Sequence, residues 1–372
     1  MTMPDEVVTA FPSLRPPWPA QLVPSGIGSP RWGEWDHETG GVTVADPADD
    51  PRLPGLRDWV GVGELVAYRP GWRAVLRVPA PPAGDAGDAG EVRWVQVVRV
   101  PRTADVVDRH LAVAALVRQL RGPLRVPEVT DVDAGAGVVV LSAVTGSPLR
   151  ELLAGPVAEE ALVAVARAVA GLATPDAAAA LGRGRDGAPP RASVARRPAD
   201  WAAIAGAAVG DPDIAAELDA MVPLLLNDPG AGLGTVVIHG DLDDRNIFLH
   251  APPAGGAVHL PNETVPQVGV VDLDGAGLGE PGRDIAGLAC HVVLRAMIDD
   301  GSAARGVNLA SLLLDAAAVA GGAVPVEVIR SWQARTYFRL ACIHLFRRDT
   351  RHLWRELLER ARACADPAGS GV

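Results

Sequence analysis

Apolar residues alternate with polar ones at strand spacing in the first third of the chain and recur at helical spacing in much of the remainder. Residues 63–80 contain two stretches rich in β-branched and aromatic residues around a turn at residues 69–71, which predicts a hairpin. The valine-rich segment 91–101 predicts a third strand, and 126–146 predicts two more around a glycine turn. Helical spacing predicts a helix over 103–120.

This pattern divides the chain into three parts. Residues 1–55 are rich in Pro, Gly and Asp and are predicted to form an irregular N-terminal extension. Residues 56–145 are predicted to form a lobe with an antiparallel β-sheet and one helix, and residues 146–372 a larger helical lobe. A chain of 372 residues also exceeds the size at which one hydrophobic core stops growing. We therefore predict a bilobal α+β protein.

Composition narrows the range of partners. Hydrophobic residues make up 48% of the chain and charged residues 21%, which is ordinary for a soluble globular protein. The formal net charge of −11 disfavours nucleic acid and anionic membranes and favours small-molecule partners. The N-terminus lacks the pattern of a signal peptide, no apolar run has membrane-spanning length, and the three cysteines are widely spaced. These features predict a cytoplasmic location.

Two segments of the second lobe contain the residues on which chemistry depends. VVIHGDLDDRNIFLH (236–250) contains the pattern H-G-D-x-x-x-x-N, and VGVVDLDGAGLGEPGRDIAGL (268–288) contains D-x-D followed by R-D-I-A. Together they resemble the catalytic loop and the magnesium-binding segment of aminoglycoside phosphotransferases and related choline kinase-like small-molecule kinases. The resemblance covers roughly residues 56–350. It implies a protein-kinase-like fold that uses ATP and Mg²⁺ to phosphorylate a hydroxyl group of a sugar, an aminoglycoside-like compound or an amino alcohol.

The same resemblance implies roles for individual residues. Asp241 would be the catalytic base, and Asn246 and Asp272 would hold magnesium through oxygen atoms. His239 is included with the catalytic residues, although we expect it to hold the loop by hydrogen bonding. Asp274 would be either a second magnesium ligand or a turn residue.

Three further aspartates have secondary roles in this interpretation. Asp284 would support the catalytic loop, and Asp243 and Asp244 are predicted to be solvated, where one of them could attract a cationic acceptor. The segment 250–267, inserted between two strands, is predicted to form a surface hairpin loop.

The chain departs from the family pattern in its basic residues. It contains no lysine, so arginine supplies all 34 basic side chains and the expected phosphate-binding lysine is missing. Arg99 and Gln96 are the candidates to replace it; strand alternation and a small apolar neighbour favour Arg99, whereas the family's sequence style favours Gln96. The helix lacks the glutamate that pairs with this lysine, and Asp108 or His110 is the nearest polar candidate.

The remaining site residues concern adenine and the acceptor. The backbone of Ser142, Ala143 and Val144 resembles the hinge that binds adenine between the lobes. The acceptor is expected between the catalytic loop and the C-terminal helices. Those helices contain aromatic and histidine side chains that we mostly assign to the core, namely Trp332, Tyr337, Phe338 and His344.

Two other functions stay open at this level. Loss of the lysine would suit a pseudokinase that binds a nucleotide or a partner, although a pure scaffold need not keep metal ligands. A kinase acting on a peptide within a biosynthetic complex would have a protein partner and a wider pocket.

Overall fold

The computed structural model describes residues 3–13, 16–23, 31–79, 92–184, 187–226, 232–250, 266–321 and 324–366. Residues 81–90 and most of the insertion predicted at 250–267 lie outside these residues. The strands that flank the insertion pair in antiparallel fashion, from Ile247–Val270 to His250–Gln267, as a hairpin requires.

The N-terminal part of the chain forms a sheet, so the prediction of an irregular extension was wrong. Its four antiparallel strands lie in chain order: β1 (Val7–Ala10), β2 (Trp18–Leu22), β3 (Arg31–Trp35) and β4 (Val42–Val44). Alternate residues of β2 are buried, as a sheet with one covered face requires. Strands of only three to five residues among Pro and Gly gave too little periodicity to be recognised.

This N-terminal sheet packs against both of the other parts of the chain. The Trp18 ring meets Phe346 edge-on at a centroid distance of 5.0 Å, and the Ala10 N–H donates to the Phe346 carbonyl at 2.9 Å. On the other side, the Trp32 ring lies 6.3 Å from that of Tyr68 in the next sheet. The N-terminal sheet therefore helps to fix the two lobes to each other.

The predicted first lobe is confirmed as an antiparallel sheet with one helix. Its elements are β5 (Glu64–Arg69), β6 (Arg73–Pro79), β7 (Val92–Val98), α1 (Thr103–Leu120), β8 (Leu124–Arg125), β9 (Val129–Asp133) and β10 (Val138–Ser142). The short strand β8 belongs to a different sheet. The five-stranded sheet has the order β5-β6-β7-β10-β9. The valine-rich runs that predicted β7 and β10 belong to the central strands of the sheet, where consecutive residues are buried.

The two faces of the sheet have different partners. Leu76 and Val97 belong to the face that packs on Leu53 and Leu56 of the N-terminal part. The opposite face contacts α1 through residues such as Val139. Gln96, which pairs with Val75 across β6 and β7, lies on this second face, towards α1 and the larger lobe.

The larger part of the chain is helical with short strands, as predicted. Helix α7 lies near its centre and packs on α8 and α9. Its elements are β11 (Ser147–Pro148), α2 (Leu149–Leu152), α3 (Ala158–Leu172), α4 (Pro175–Ala180), α5 (Pro198–Val209), α6 (Pro212–Met221), β12 (Val236–Ile238), β13 (Ile247–His250), β14 (Gln267–Val270), β15 (Gly277–Gly279), α7 (Arg283–Asp299), α8 (Ala304–Val319), α9 (Val326–His344) and α10 (Trp354–Ala365).

The short strands position the segments of interest. β12 pairs with β15, and β13 lies between β11 and β14. The loop 239–246 connects β12 to β13, and Asp272 follows β14 by two residues. Among the described residues, no helix combines the length and apolarity needed to cross a membrane.

Candidate active site

The loop 239–246 is held from below by the carboxylate of Asp284. This carboxylate accepts hydrogen bonds from the backbone N–H groups of His239 (2.5 Å) and Gly240 (2.9 Å). Gly240 has φ +87°, and a Cβ there would lie 2.6 Å from the Gly275 carbonyl oxygen, so a larger residue would not fit. Asp284 thus occupies the supporting position that the sequence indicated.

His239 holds the same loop. Its Nε2–H donates to the Val271 carbonyl at 2.8 Å, and its Nδ1 accepts from the Asp241 N–H at 3.4 Å. The side chain is buried and does not line the cleft in front of the loop. This geometry favours a positioning role, although His239 was also included among the catalytic candidates.

Asp241 faces the cleft, with a side chain that is 62% exposed. Its carboxylate forms an ion pair with Arg339 of α9 at 2.9 Å. Desolvation in the cleft tends to raise the pKa of Asp241, but Arg339 and nearby histidines outweigh it and hold this pKa well below its usual range. The carboxylate is therefore ionised at neutral pH and can accept a hydrogen bond from a hydroxyl group.

Asn246 connects the loop to the Asp272 segment. Its side-chain Nδ2 donates to the Asp241 carbonyl at 3.2 Å, which leaves the oxygen Oδ1 as an acceptor. Its own carbonyl accepts from the Val271 N–H at 3.0 Å. The residue thus joins Asp241 on one side to the residue before Asp272 on the other.

An arginine that the sequence analysis missed lies on the two aspartates of the D-x-D segment. Arg73 of β6 donates from NH1 and NH2 to the two oxygens of Asp272 at 2.5 and 3.1 Å, and from NH1 to Asp274 at 3.1 Å. Asp272 itself has φ +65°, a left-handed conformation that is strained for a residue other than glycine. Strand alternation contained a usable signal. In the pairing of β6 with β7, Gln96 lies opposite Val75, and Arg73, two residues before Val75, lies on the same face of the sheet.

Gln96 completes this cluster, and Arg99 does not join it. Gln96 donates from Nε2 to both oxygens of Asp274, at 2.8 and 2.7 Å. Arg99 follows the end of β7, donates to the Gly71 carbonyl at 2.5 Å and stacks on Trp72. The alternation argument for Arg99 fails because the strand ends at Val98.

His110 of α1, one of the two candidates to replace the missing glutamate, lies next to the D-x-D segment. It is fully buried, and its Nε2 lies 3.9 Å from the Asp274 carboxylate. Burial tends to raise the pKa of Asp274, but His110, Arg73 and Gln96 together hold it well below its usual range. The lobes are thus connected at this point by Asp274 with its three partners.

The turn between β5 and β6 is anchored by the N-terminal part of the chain. The Asp50 carboxylate accepts hydrogen bonds from the Gly71 N–H at 2.6 Å and from the Tyr68 hydroxyl at 2.8 Å. Gly71 has φ +63°, which favours glycine there. The N-terminal part of the chain therefore positions the turn that covers the cleft.

The predicted adenine-binding residues lie where the lobes join. Ser142 ends β10, and its hydroxyl accepts from the Glu128 N–H at 2.9 Å. Ala143 and Val144 follow as a half-buried connection to β11, and Val144 packs against Gly269. This position agrees with a hinge, while the adenine contact stays a prediction.

Two aspartates are in a different environment from the one expected. Asp243 and Asp244 are 2% and 3% exposed, not solvated. Asp243 forms an ion pair with Arg245, and Asp244 forms one with Arg295 at 3.0 Å. The segment D-L-D-D-R is typical of a polar surface turn. Here the ion pairs with Arg245 and Arg295 allow both carboxylates to lie in the interior. Neither aspartate is available to attract a cationic acceptor.

A cleft with a volume of ≈ 630 Å³ brings three of the predicted site residues together. Asp241, Asp272 and Asp274 line it, together with residues of the N-terminal part such as Phe11. Trp332 also lines it, whereas Tyr337, Phe338 and His344 are buried core residues, as expected for most of this group. The lining contains ten arginines and six aspartates.

The donors near Asp272 are of the kind that magnesium prefers. Asp272, Asp274 and Asn246 offer carboxylate and amide oxygens. Among the described residues, no group of three or more Asp, Glu, His or Cys side chains forms a metal site by itself, so nucleotide phosphates would have to supply further ligands. The set fits Mg²⁺ in kind, and Arg73 competes with it for the same oxygens.

Comparison with known proteins decides the family. Residues 84–321, more than half of the chain, match APH, the phosphotransferase enzyme family. The chain belongs to the APH phosphotransferase family. This APH-family chain is an ATP-dependent kinase that phosphorylates a hydroxyl group, as the two motifs predicted. No curated protein matches it in sequence.

Several solved structures are similar to this APH-family chain. The aminoglycoside phosphotransferase APH(3'')-Id of Streptomyces rimosus is 22% identical, with coverage of 78% of this chain and 96% of that one and a TM-score of 0.45. A choline/ethanolamine kinase family protein of Mesorhizobium loti is 15% identical, with coverage of 86% and 93% and a TM-score of 0.47. The choline kinase of Cryptosporidium parvum is 13% identical, with coverage of 85% and 94% and a TM-score of 0.49. At these identities the similarities do not identify a substrate.

Proposed function

We propose that this protein transfers the γ-phosphoryl group of ATP to a hydroxyl group of a small molecule bound in the cleft, with Asp241 as the base. The observation that carries the proposal is that Asp241 and Asp272, from two separate segments, line one cleft. The cleft volume of ≈ 630 Å³ suits a small molecule better than a folded protein or a long peptide.

The reaction is an in-line displacement at phosphorus. The acceptor oxygen forms a bond to the γ-phosphorus while the bond to the bridging oxygen of ADP breaks, and the hydroxyl proton passes to Asp241. Because Arg339 stabilises the ionised form of Asp241, this carboxylate orients the hydroxyl and takes its proton late, as charge leaves with ADP.

We propose that Arg73 and Gln96 replace the missing lysine. Both lie on the sheet face that covers the D-x-D segment, and arginine binds phosphate with two parallel hydrogen bonds. On nucleotide binding, Arg73 would turn from Asp272 to the phosphates and leave the carboxylates to the metal. Magnesium held by Asp272, Asn246 and Asp274 would neutralise charge on the transferred group.

An isosteric substitution tests the role of Asp241. Asp241→Asn should lower phosphoryl transfer by about 10²- to 10⁴-fold, the range for a general base, while nucleotide binding is largely kept. ADP release with a panel of hydroxyl-bearing acceptors measures the first, and calorimetry the second. Asp315→Asn on the exposed face of α8 removes the same charge away from the cleft and should leave both unchanged. Full activity in Asp241→Asn would refute the assignment.

A further inference from the structure

A cluster of four arginines lines the cleft near Asp241. This arginine cluster consists of Arg69, Arg245, Arg339 and Arg347, all of which line the cleft. Arg69 ends β5, Arg245 lies in the catalytic loop, and the other two come from α9 and the turn after it. Four separate segments therefore direct positive charge to one place.

Only half of this charge is neutralised by the protein. Arg339 pairs with Asp241, and Arg245 pairs with Asp243. Among the described residues, no carboxylate lies within ion-pairing distance of Arg69 or Arg347. The chain as a whole carries a net charge of −11, so the excess of arginine over aspartate in the cleft is a local feature.

Arg347 is in an unfavourable position without a ligand. Its Nε is buried and has no hydrogen-bond partner in the described part of the chain. Burial, together with the charge of Arg245, which outweighs the opposing charge of Asp243, lowers the pKa of Arg347 to about 10. Desolvation in the cleft, followed by the charge of Arg73, also lowers the pKa of Arg69. An oxyanion bound here would satisfy the orphaned donor and relieve the repulsion between like charges.

We propose that the acceptor is an anionic alcohol, whose phosphate or carboxylate group binds Arg347 and Arg69 while its hydroxyl group faces Asp241. This inference rests on the proposed phosphoryl transfer, which places the hydroxyl. It replaces the expectation of a cationic acceptor, because Asp243 and Asp244 are already neutralised by arginines. The phosphates of ATP are the other source of an oxyanion at this cluster.

A set of matched acceptors separates these possibilities. The set contains two anions, glucose 6-phosphate and gluconate, a neutral compound, glucose, and a cation, kanamycin. Calorimetry measures the binding of each compound with and without magnesium and a non-hydrolysable ATP analogue. We expect the two anions to bind at least about tenfold more tightly than glucose or kanamycin. A hydrogen bond to a charged group contributes about 1.5–3 kcal/mol, so Arg347→Ala should weaken the anions about 10- to 100-fold. The dissociation constant of the nucleotide analogue should stay within about twofold.

Variants of neighbouring residues control for charge and folding. Arg348→Ala removes the same charge one position along, at an exposed residue that does not line the cleft, and should bind the anions as the native chain does. Arg347→Lys should give an intermediate loss, since lysine keeps the charge without the planar fork. If Arg347→Ala fails to fold, Arg69→Ala at the exposed end of β5 provides the same test.

The results distinguish this inference from the proposed function. Three outcomes would each overturn the inference and leave the proposed phosphotransferase activity intact. Both anions could fail to bind, glucose or kanamycin could bind more tightly than the anions, or Arg347→Ala could weaken the binding of the nucleotide analogue alone. Binding of anions at Arg347 in a chain that binds no nucleotide would instead support the anion site and refute the proposed phosphoryl transfer.

Discussion

Replacing Arg73 by alanine should leave the carboxylates of Asp272 and Asp274 without the cation that they share. Arg73 lies 2.5 Å from Asp272 and 3.1 Å from Asp274, with side-chain exposures of 19%, 32% and 16% for the three residues. Charge centres about 4 Å apart attract by about 4 kcal/mol at an effective dielectric constant near 20. Removing one partner of a buried pair costs about 3–5 kcal/mol, and the partial exposure here reduces the expected loss of stability to about 2–3 kcal/mol.

Magnesium should restore part of this loss. Once Arg73 is absent, Asp272 and Asp274 are free for Mg²⁺, and a ligand at ten times its dissociation constant adds about 1.4 kcal/mol. Urea unfolding followed by tryptophan fluorescence, with magnesium or with EDTA, measures both effects. Arg77→Ala is the matched control, because Arg77 is 54% exposed on the same strand and pairs only loosely with Glu64 at 3.6 Å. Equal stability of Arg73→Ala and the native chain, with no magnesium effect, would refute the reasoning.

Three further substitutions follow from the site. Arg339→Gln removes the cation that lowers the pKa of Asp241, so this pKa rises and the acid limb of the kcat/KM profile moves to higher pH; an unmoved limb would argue against the ion pair. Asp284→Ala leaves the N–H groups of His239 and Gly240 without their acceptor, and urea unfolding should show a loss of about 2–4 kcal/mol. Arg99→Ala should raise the KM for ATP by about fivefold at most, because it breaks a turn contact and a cation–π contact of about 1 kcal/mol; a larger rise than in Arg73→Ala would restore Arg99 as the phosphate ligand.

The sequence predicted the parts of the site that depend on local pattern. The strand before Asp272 and the loop from His239 to Asn246 are short motifs whose neighbours in sequence are also neighbours in space. Arg73 could not be assigned to Asp272 in this way, since 199 residues separate them. Their contact depends on how the lobes dock, which periodicity does not reveal.

The wrong predictions for Asp243, Asp244 and the N-terminal sheet also arise from contacts between distant parts of the chain. Asp243 and Asp244 were predicted to be solvated because isolated carboxylates avoid the interior. Each is buried instead, because an arginine pairs with it and neutralises its charge. The N-terminal sheet was missed because its strands gain their stability from contacts such as Trp18 with Phe346, far along the chain. In both cases a tertiary partner overrides the local preference.

Magnesium-dependent ATP binding tests the central claim most directly. Calorimetry of a non-hydrolysable ATP analogue should show binding to the native chain with magnesium, weaker binding with EDTA, and a further loss in Asp272→Asn and Arg73→Ala. Arg77→Ala should bind as the native chain does. Binding of the analogue that ignores both magnesium and Asp272, or no binding at all, would contradict the account and favour a chain that has kept the kinase fold without its chemistry.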